Sequence, residues 1–282
     1  QYCRQDSRIV LVAKPHTGYS DTRYEGFRHS GGDYIYCVDS DDSIEPDAVE
    51  KLVAGLEASD ADVFLARWRL VDESGRTISE SRTYAVESID DIRTIVADAL
   101  SVDNMKPSMC LKLCRRELWD KCYDPAVRNM CYNEDYLLTV LIALEARKVA
   151  FSNEILYRTL RRTGSVSRQP RPELLNSHDG YFGLIRNRLA ERFPNEDFDR
   201  SFYRGFGKCM FYGMLVAANV ARTYGEFKEL YDAIDADSIY RTKAFRRHMR
   251  DNGALFRLLD VLSRRPRLFY VSAAVAGLFF KH

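Results

Sequence analysis

The stretch Asp33-Tyr-Ile-Tyr-Cys-Val-Asp39-Ser-Asp41-Asp42-Ser-Ile-Glu45-Pro46-Asp47 decides the fold of this chain. Residues 34–38 are mostly apolar and predict a buried strand, and three carboxylates follow within four residues. In α/β proteins, ligands bind at the carboxyl ends of strands. Crowded carboxylates repel one another unless a cation lies among them, and oxygen ligands favour a hard divalent ion. The stretch therefore predicts a Mg²⁺ or Mn²⁺ site that suits a bound diphosphate.

The acidic run is open to other interpretations. A solvated turn that caps the helix beginning at Pro46 is the commoner use of clustered acids. A phosphatase of the haloacid dehalogenase type would use Asp39 as a nucleophile, although Asp42 and Ser43 fit that motif poorly. An EF-hand calcium loop is excluded, because Ile44 stands where that loop needs Gly.

Hydrophobic periodicity predicts that strands alternate with helices in the first part of the chain. Strands are predicted at 9–13, 34–38, 62–70, 149–151 and 156–159. Helices are predicted at 20–30, 46–58, 89–100 and 134–146, the last with Asn133 as its N-cap. This alternation indicates an α/β fold with a mixed, mostly parallel sheet flanked by helices. Beyond residue 168 the pattern is almost entirely helical, so we expect two domains, 1–168 and 169–282.

The net charge of +1 hides an uneven distribution of charged residues. Residues 241–267 carry nine Lys or Arg against two Asp. The first 240 residues, in contrast, have a net charge of −7. The apolar segment 268–280 follows and is shorter than the roughly 20 residues that span a bilayer. Residues 241–280 therefore predict either a peripheral contact with an anionic membrane or a helical hairpin packed on its own domain. Nucleic-acid binding is not expected, since no reader motif accompanies the charge.

Several motifs, in order across residues 8–168, resemble the family 2 glycosyltransferases. They are Gly18-Tyr-Ser20-Asp-Thr-Arg23-Tyr-Glu-Gly26, Gly32-Asp33-Tyr-Ile-Tyr-Cys-Val-Asp39-Ser-Asp41-Asp42, Leu111-Lys112-Leu-Cys-Arg-Arg116-Glu-Leu118, Asn133-Glu134-Asp135, and Tyr157-Arg158 through Gly164-Ser165-Val-Ser167. Tyr24 stands where the family usually has Asn. The resemblance implies a GT-A-like, Rossmann-like fold. The family's first nucleotide-binding β-α units are missing from this sequence, so we expect an N-terminally truncated chain with a half-built donor pocket.

The resemblance also implies roles for individual residues. Asp135 is the implied general base and Glu134 its catalytic partner. Because a helix N-terminus lowers the pKa of a carboxylate in its first turn, the base is expected to be ionised. Asp41 and Asp39 are the implied metal ligands. The residues implied in cofactor or donor binding are Asp39, Asp41, Asp42, Arg23, Lys112, Arg161 and Ser165.

The predicted function is an inverting glycosyltransferase of the hexosyltransferase type. It would move a sugar from a nucleotide-diphosphate sugar, with UDP as the expected nucleotide, to a hydroxyl of a glycan or lipid-linked acceptor in bacterial surface polysaccharide synthesis. Mn²⁺ or Mg²⁺ is the implied cofactor, and the expected location is the cytoplasm, at the inner face of the cell membrane. Two alternatives stay open: a phosphatase that uses Asp39 as its nucleophile, and a non-catalytic remnant that binds sugars or a membrane.

Overall fold

The computed structural model describes residues 2–122, 125–128, 130, 133–162, 178–234 and 238–280. The chain divides into two compact units. The first unit is formed by residues 1–95 and 106–160, and the second by residues 96–105 and 161–282.

The first unit is built on a seven-stranded sheet. Its strands are β1 (Tyr34–Tyr36), β2 (Ser43–Ile44), β3 (Val63–Val71), β4 (Thr77–Glu80), β5 (Ser88–Ile89), β6 (Lys112–Arg115) and β7 (Val149–Leu160). The helices in this part of the chain are α1 (Tyr19–His29), α2 (Ala48–Ala58), α3 (Ile92–Ser101), α4 (Arg116–Cys122), α5 (Pro125–Arg128) and α6 (Glu134–Glu145). The mixed sheet with its helices confirms the predicted α/β class. The four predicted helices correspond to α1, α2, α3 and α6, each within three residues of its expected limits.

The sheet is mixed, but it is not mostly parallel as the sequence predicted. Its strand order is β1-β6-β3-β7-β2, with β4 paired to β3 and β5 paired to β7. Among the described residues, β3 and β7 pair in parallel, and the other strand pairs are antiparallel. Hydrophobic periodicity reports which face of a strand is buried and says nothing about its direction. The order of the strands follows from long-range pairing, in which β6 enters between β1 and β3 antiparallel to both.

Residues 9–13 do not form the strand that their apolar character predicted. Ile9, Val10 and Leu11 are exposed, and the sheet of the described residues does not include them. A strand gains its stability from cross-strand pairs and from burial of one face, and this segment has neither.

The two short strands predicted at 149–151 and 156–159 are one continuous strand, β7. Asn153 and Glu154 are exposed and interrupt the hydrophobic pattern, while the backbone continues through them with a shift in its register against β3. This long strand matters for the site, because its carboxyl end lies beside β2 and the acidic run.

The core of the first unit lies between α2 and the sheet. Leu52 and Leu56 of α2 pack with Phe64 of β3, Leu113 of β6 and Leu156 of β7. This packing fixes β1 and β7 relative to each other through the strands between them, so the ends of both strands are held in place.

The second unit is helical in the residues described. Its helices are α7 (His178–Arg192), α8 (Asp199–Val220), α9 (Tyr224–Asp232), α10 (Lys243–Asp251), α11 (Ala254–Ser263) and α12 (Pro266–Phe280). Its core is aromatic: Phe182 makes edge-to-face contacts with Phe202 and Phe206, and Phe206 makes another with Phe245. No helix within the described ranges combines the length and apolarity needed to cross a bilayer.

Candidate active site

The acidic run lies just after β1, and β7 holds its shape. The Tyr157 hydroxyl accepts a hydrogen bond from the Asp39 N–H (3.2 Å) and donates one to Asp42 Oδ2 (2.8 Å). The Leu160 N–H donates to Asp42 Oδ1 (2.9 Å). Both oxygens of Asp42 are therefore engaged by β7, and Asp42 anchors the turn.

Asp39 and Asp41 differ from Asp42 in that both are exposed to solvent. The Asp41 carboxylate has no hydrogen-bond or ion-pair partner among the described residues. Asp39 adjoins the buried thiol of Cys110, whose pKa is raised to about 12 by burial and by the nearby Asp39 charge. The thiol therefore stays protonated, and the turn presents two solvent-facing carboxylates.

These two carboxylates fit a hard cation only in part. Within the described ranges, no three His, Cys, Asp or Glu side chains converge on one point as metal ligands would. Mg²⁺ is usually held by one or two carboxylates together with waters and the phosphates of a substrate. Asp39 and Asp41 match that kind of site, in which the ligand completes the coordination, and do not match a cage made by protein alone.

A second acidic pair opens α6. Asn133 precedes it in the left-handed conformation (φ 60°), which Asn tolerates better than most residues. Its side chain makes no capping hydrogen bond, so the predicted N-cap bond is absent. Arg23 Nη1 lies 2.6 Å from Asp135 Oδ1 and 3.2 Å from Glu134 Oε1. The Met109 N–H donates to Asp135 Oδ2 (3.4 Å), so Asp135 is held from two sides.

Burial governs the electrostatics of this pair. Burial raises the pKa of Glu134, the charge of Asp135 raises it further, and Arg23 offsets only part of the effect. For Glu134, desolvation therefore outweighs the helix dipole. Burial alone would lower the pKa of Arg23, but the carboxylates of Asp135 and Glu134 contribute to a net increase.

A cleft of about 580 Å³ lies beside the acidic turn and reaches Arg23. Arg23 and Asp39 both line it, and Asp135 is bound to Arg23. The cleft is enclosed by α1, β1 and the turn after β1, with Trp119 of α4 in its wall. Its lining residues are Tyr19, Thr22, Arg23, Gly26, Phe27, Ser30, Tyr34, Ile35, Tyr36, Cys37, Val38, Asp39, Ser40 and Trp119. The cleft thus has Asp39 of the acidic turn and Arg23 in its wall, and Arg23 links it to the acids of α6.

Lys112 is not in the wall of this cleft, contrary to the role expected from its motif. Its side chain is buried, and burial lowers its pKa to about 8. The ammonium donates to the carbonyls of Lys106 (2.7 Å), Pro107 (3.0 Å) and Ser108 (2.8 Å), and to Thr139 Oγ1 (3.0 Å). Because this segment leads directly to Met109, Lys112 positions the N–H that binds Asp135.

The remaining predicted residues divide into two cases. Arg161 is partly buried and follows Leu160, the residue whose N–H binds Asp42. Ser165 lies outside the described residues, together with the rest of its motif.

Three contributors to the site had no assigned role in the sequence analysis: the Tyr157 hydroxyl, the Cys110 thiol and the Met109 N–H. Tyr157 belongs to a motif that resembles the family, but the motif does not show that its hydroxyl contacts Asp39 and Asp42. A backbone N–H leaves no trace in a sequence motif, so Met109 could be found only from the structure.

The chain is similar in sequence to known glycosyltransferases. Residues 1–122 match the model of glycosyl transferase family 2. The chain is 28% identical to glycosyltransferase GlyA of Streptococcus pneumoniae over 176 residues, which are 60% of this chain and 25% of that protein. It is 24% identical to the cholesterol galactosyltransferase of Borreliella burgdorferi over 175 residues, which are 59% of this chain and 48% of that protein. It is 27% identical to glycosyltransferase GlyG of S. pneumoniae over 174 residues, 59% of this chain and 57% of that protein. The chain therefore spans between a quarter and six tenths of these relatives.

Solved structures show the same fold. Residues 1–349 of S. aureus TarS in complex with UDP superpose with a TM-score of 0.57 and 16% identity, covering 90% of this chain and 69% of that one. The complex of the same protein with UDP-GlcNAc gives a TM-score of 0.56 at 16% identity, with 90% and 70% covered. The likeness confirms the GT-A-like fold.

Proposed function

Since residues 1–122 match the model of glycosyl transferase family 2, we propose that this chain transfers a sugar from a nucleotide-diphosphate sugar to an acceptor hydroxyl. The observation that carries the proposal is the shared cleft. Asp39 of the acidic turn lines it, and so does Arg23, which is the ion-pair partner of Asp135. Sugar transfer needs both kinds of group, because a diphosphate must leave and a hydroxyl must lose its proton.

The donor is proposed to bind at the acidic turn. Asp41 and Asp39 would hold Mn²⁺ or Mg²⁺, which when bound offsets the negative charge of the leaving diphosphate. Asp42 keeps the turn in place through Tyr157 and Leu160. The solved TarS complexes with UDP and UDP-GlcNAc support a UDP-sugar as the donor.

Asp135 is proposed as the general base. Its carboxylate is oriented by Arg23 and by the Met109 N–H, and about a quarter of its side chain remains accessible for an incoming hydroxyl. Attack from the face opposite the leaving group would invert the anomeric carbon. Glu134, which is more deeply buried, would orient Arg23. Arg161 is kept as a candidate for donor contact because it follows the strand end that binds Asp42.

The acceptor is proposed to be a glycan or a lipid-linked carrier used for surface polysaccharide, at the cytoplasmic face of the cell membrane. One relative is named for transfer to cholesterol, a membrane lipid, which supports an acceptor carried on lipid. The match of residues 1–122 to the transferase family argues against the phosphatase with Asp39 as its nucleophile.

Calorimetric titration of UDP, with and without Mn²⁺, tests the donor site. We expect binding that needs the metal, and metal binding that in turn needs UDP, because the turn supplies only part of the coordination shell. Asp41→Asn should weaken UDP binding by at least about tenfold. The matched control is Asp47→Asn, which removes an exposed acid bound to Lys51 on α2. Equal affinities of the two variants, or no UDP binding by the folded wild type, would overturn the proposal.

The catalytic assignment is tested separately by turnover of UDP-GlcNAc and UDP-galactose. Asp135→Asn should leave UDP affinity within about twofold of wild type while lowering turnover by about a hundredfold or more, as loss of a general base does. Unchanged turnover in this variant would remove Asp135 from the role of base, and retention of anomeric configuration in the product would refute inversion.

A further inference from the structure

Helix α11 is oriented with an apolar face toward solvent. Leu255, Leu258 and Val261 recur at a spacing of three residues and are 64%, 55% and 52% exposed. Residues at this spacing lie on one side of a helix. A surface helix of a globular protein normally turns its apolar side to the core and its polar side to water. Helix α11 has apolar side chains on both sides: Phe256 lies near the Phe211 ring, whereas Leu255, Leu258 and Val261 face water.

The inward side of α11 also includes two polar residues that have hydrogen-bond partners. Asp260 and Ser263 are buried. The Asp260 carboxylate accepts from Arg264 Nε (3.1 Å), and Ser263 Oγ accepts from the Tyr240 hydroxyl (3.0 Å). The Asp260–Arg264 pair is local to the helix, whereas rotating α11 to bury its leucines would separate the Ser263 and Tyr240 hydroxyls.

The next helix also exposes large apolar side chains. Leu268 and Val271 of α12 are exposed, whereas Phe269 and Ala273 on its other side are buried. The two helices contact each other. The second unit therefore presents a patch of large apolar side chains, which we call the α11–α12 patch: Leu255, Leu258, Val261, Leu268 and Val271.

Cations surround this patch. Arg257 lies on α11, and Arg265 and Arg267 lie where α11 gives way to α12; all three are exposed. The adjoining helix α10 carries four exposed cations on one side, at the spacing i, i+3, i+4, i+7. They are Lys243, Arg246, Arg247 and Arg250. None of these seven side chains has an ion-pair partner among the described residues, and of the two acids in 241–267 only Asp251 is exposed.

We propose that the α11–α12 patch docks on an anionic lipid bilayer, with α11 lying in the plane of the surface. An apolar helix face flanked by Arg and Lys suits the boundary between headgroups and acyl chains, where each nearby cation adds to the attraction for anionic lipid. A second copy of the chain is the other candidate occupant. A two-fold dimer brings the same patch of both copies together. That would oppose two arrays of unpaired cations, so charge favours the bilayer.

Vesicle sedimentation tests this proposal without any donor or acceptor, so its outcome does not depend on the transferase activity. We expect binding to phosphatidylcholine vesicles that contain phosphatidylglycerol, and at least tenfold weaker binding to phosphatidylcholine alone or in 0.5 M salt. Leu258→Glu should lower binding to the anionic vesicles by about tenfold or more. Val49→Glu, which places the same charge at an exposed valine of α2, is the matched control and should bind as wild type does.

Thermal unfolding verifies that Leu258→Glu is folded, and Leu255→Glu serves as the second variant if it is not. Equal binding by Leu258→Glu and Val49→Glu would overturn the proposal. Absence of wild-type binding to anionic vesicles would overturn it as well. A concentration-dependent dimer by light scattering, abolished by Leu258→Glu without any vesicle binding, would assign the patch to a second copy of the chain.

Discussion

The buried carboxyl of Glu134 makes the stability of the protein depend on pH. Its pKa is raised to about 7 by burial and by the charge of Asp135. Between the unfolded value near 4.5 and this folded value, the folded protein binds more protons than the unfolded chain. The free energy of unfolding is therefore higher at low pH, where Glu134 is neutral, and it falls as pH rises through this window.

Glu134→Gln should remove this pH dependence. At pH 4.5 the variant and the wild type should unfold at similar temperatures, because Glu134 is neutral in the folded protein and only half ionised in the unfolded chain. At pH 8 the variant should be more stable, on the order of 1–3 kcal/mol, since it no longer buries a charge beside Asp135. Thermal unfolding at both pH values measures the difference, and Glu50→Gln on the exposed side of α2 is the control. A constant difference across this pH range would contradict the burial argument.

At the scale of elements, β7 determines the geometry of the acidic turn. Tyr157 lies 115 residues from Asp42 along the chain, yet its hydroxyl bonds both the Asp39 backbone and the Asp42 side chain. The carboxyl end of β7 thereby fixes where the two exposed acids point. This contact depends on the pairing of β7 with β2 and β3, and pairing of that range is not readable from a local pattern.

Tyr157→Phe should separate positioning from folding. The substitution keeps the buried ring and removes only the hydroxyl, so we expect a loss of about 1–3 kcal/mol in stability from the unpaired Asp39 N–H and Asp42 oxygen. UDP affinity in the presence of Mn²⁺ should fall by about five- to tenfold, because Asp39 and Asp41 are less well placed. Tyr84→Phe is the control, since the Tyr84 hydroxyl binds the Ala66 carbonyl away from the acidic turn. If both variants bind UDP as wild type does, the hydroxyl does not position the site.

The same contrast explains what could be predicted from the sequence. The acidic turn, the first turn of α6 and four helices were predictable because local pattern and motif spacing encode them. The directions of the strands were not, because β6 pairs with β1 and β3 through contacts distant in sequence. Lys112 was predicted to line a pocket because a sequence motif gives the identity of a residue but does not show that its side chain is buried. Its actual partners are carbonyl groups, which no sequence pattern displays.

At the scale of the whole molecule, two units with separate cores should unfold in separable steps. The first core lies between α2 and the sheet, and the second is the aromatic cluster around Phe182. Multi-domain chains commonly depart from a single two-state transition. A ligand that binds only folded protein raises the transition of the unit that holds it, by about 2.7 kcal/mol when its concentration is 100 times Kd.

Differential scanning calorimetry with two marker substitutions can assign the transitions. Gly55→Ala marks the first unit, because a Cβ there would collide with the Phe64 ring, and such overpacking costs about 1–3 kcal/mol. Phe182→Ala marks the second unit, where loss of a fully buried aromatic ring costs about 3–5 kcal/mol. UDP with Mn²⁺ should raise the transition that Gly55→Ala lowers and leave the one that Phe182→Ala lowers in place. One transition moved equally by both substitutions and by the ligand would show that the chain unfolds as a single cooperative body, since each perturbation would then draw on the same free energy of unfolding.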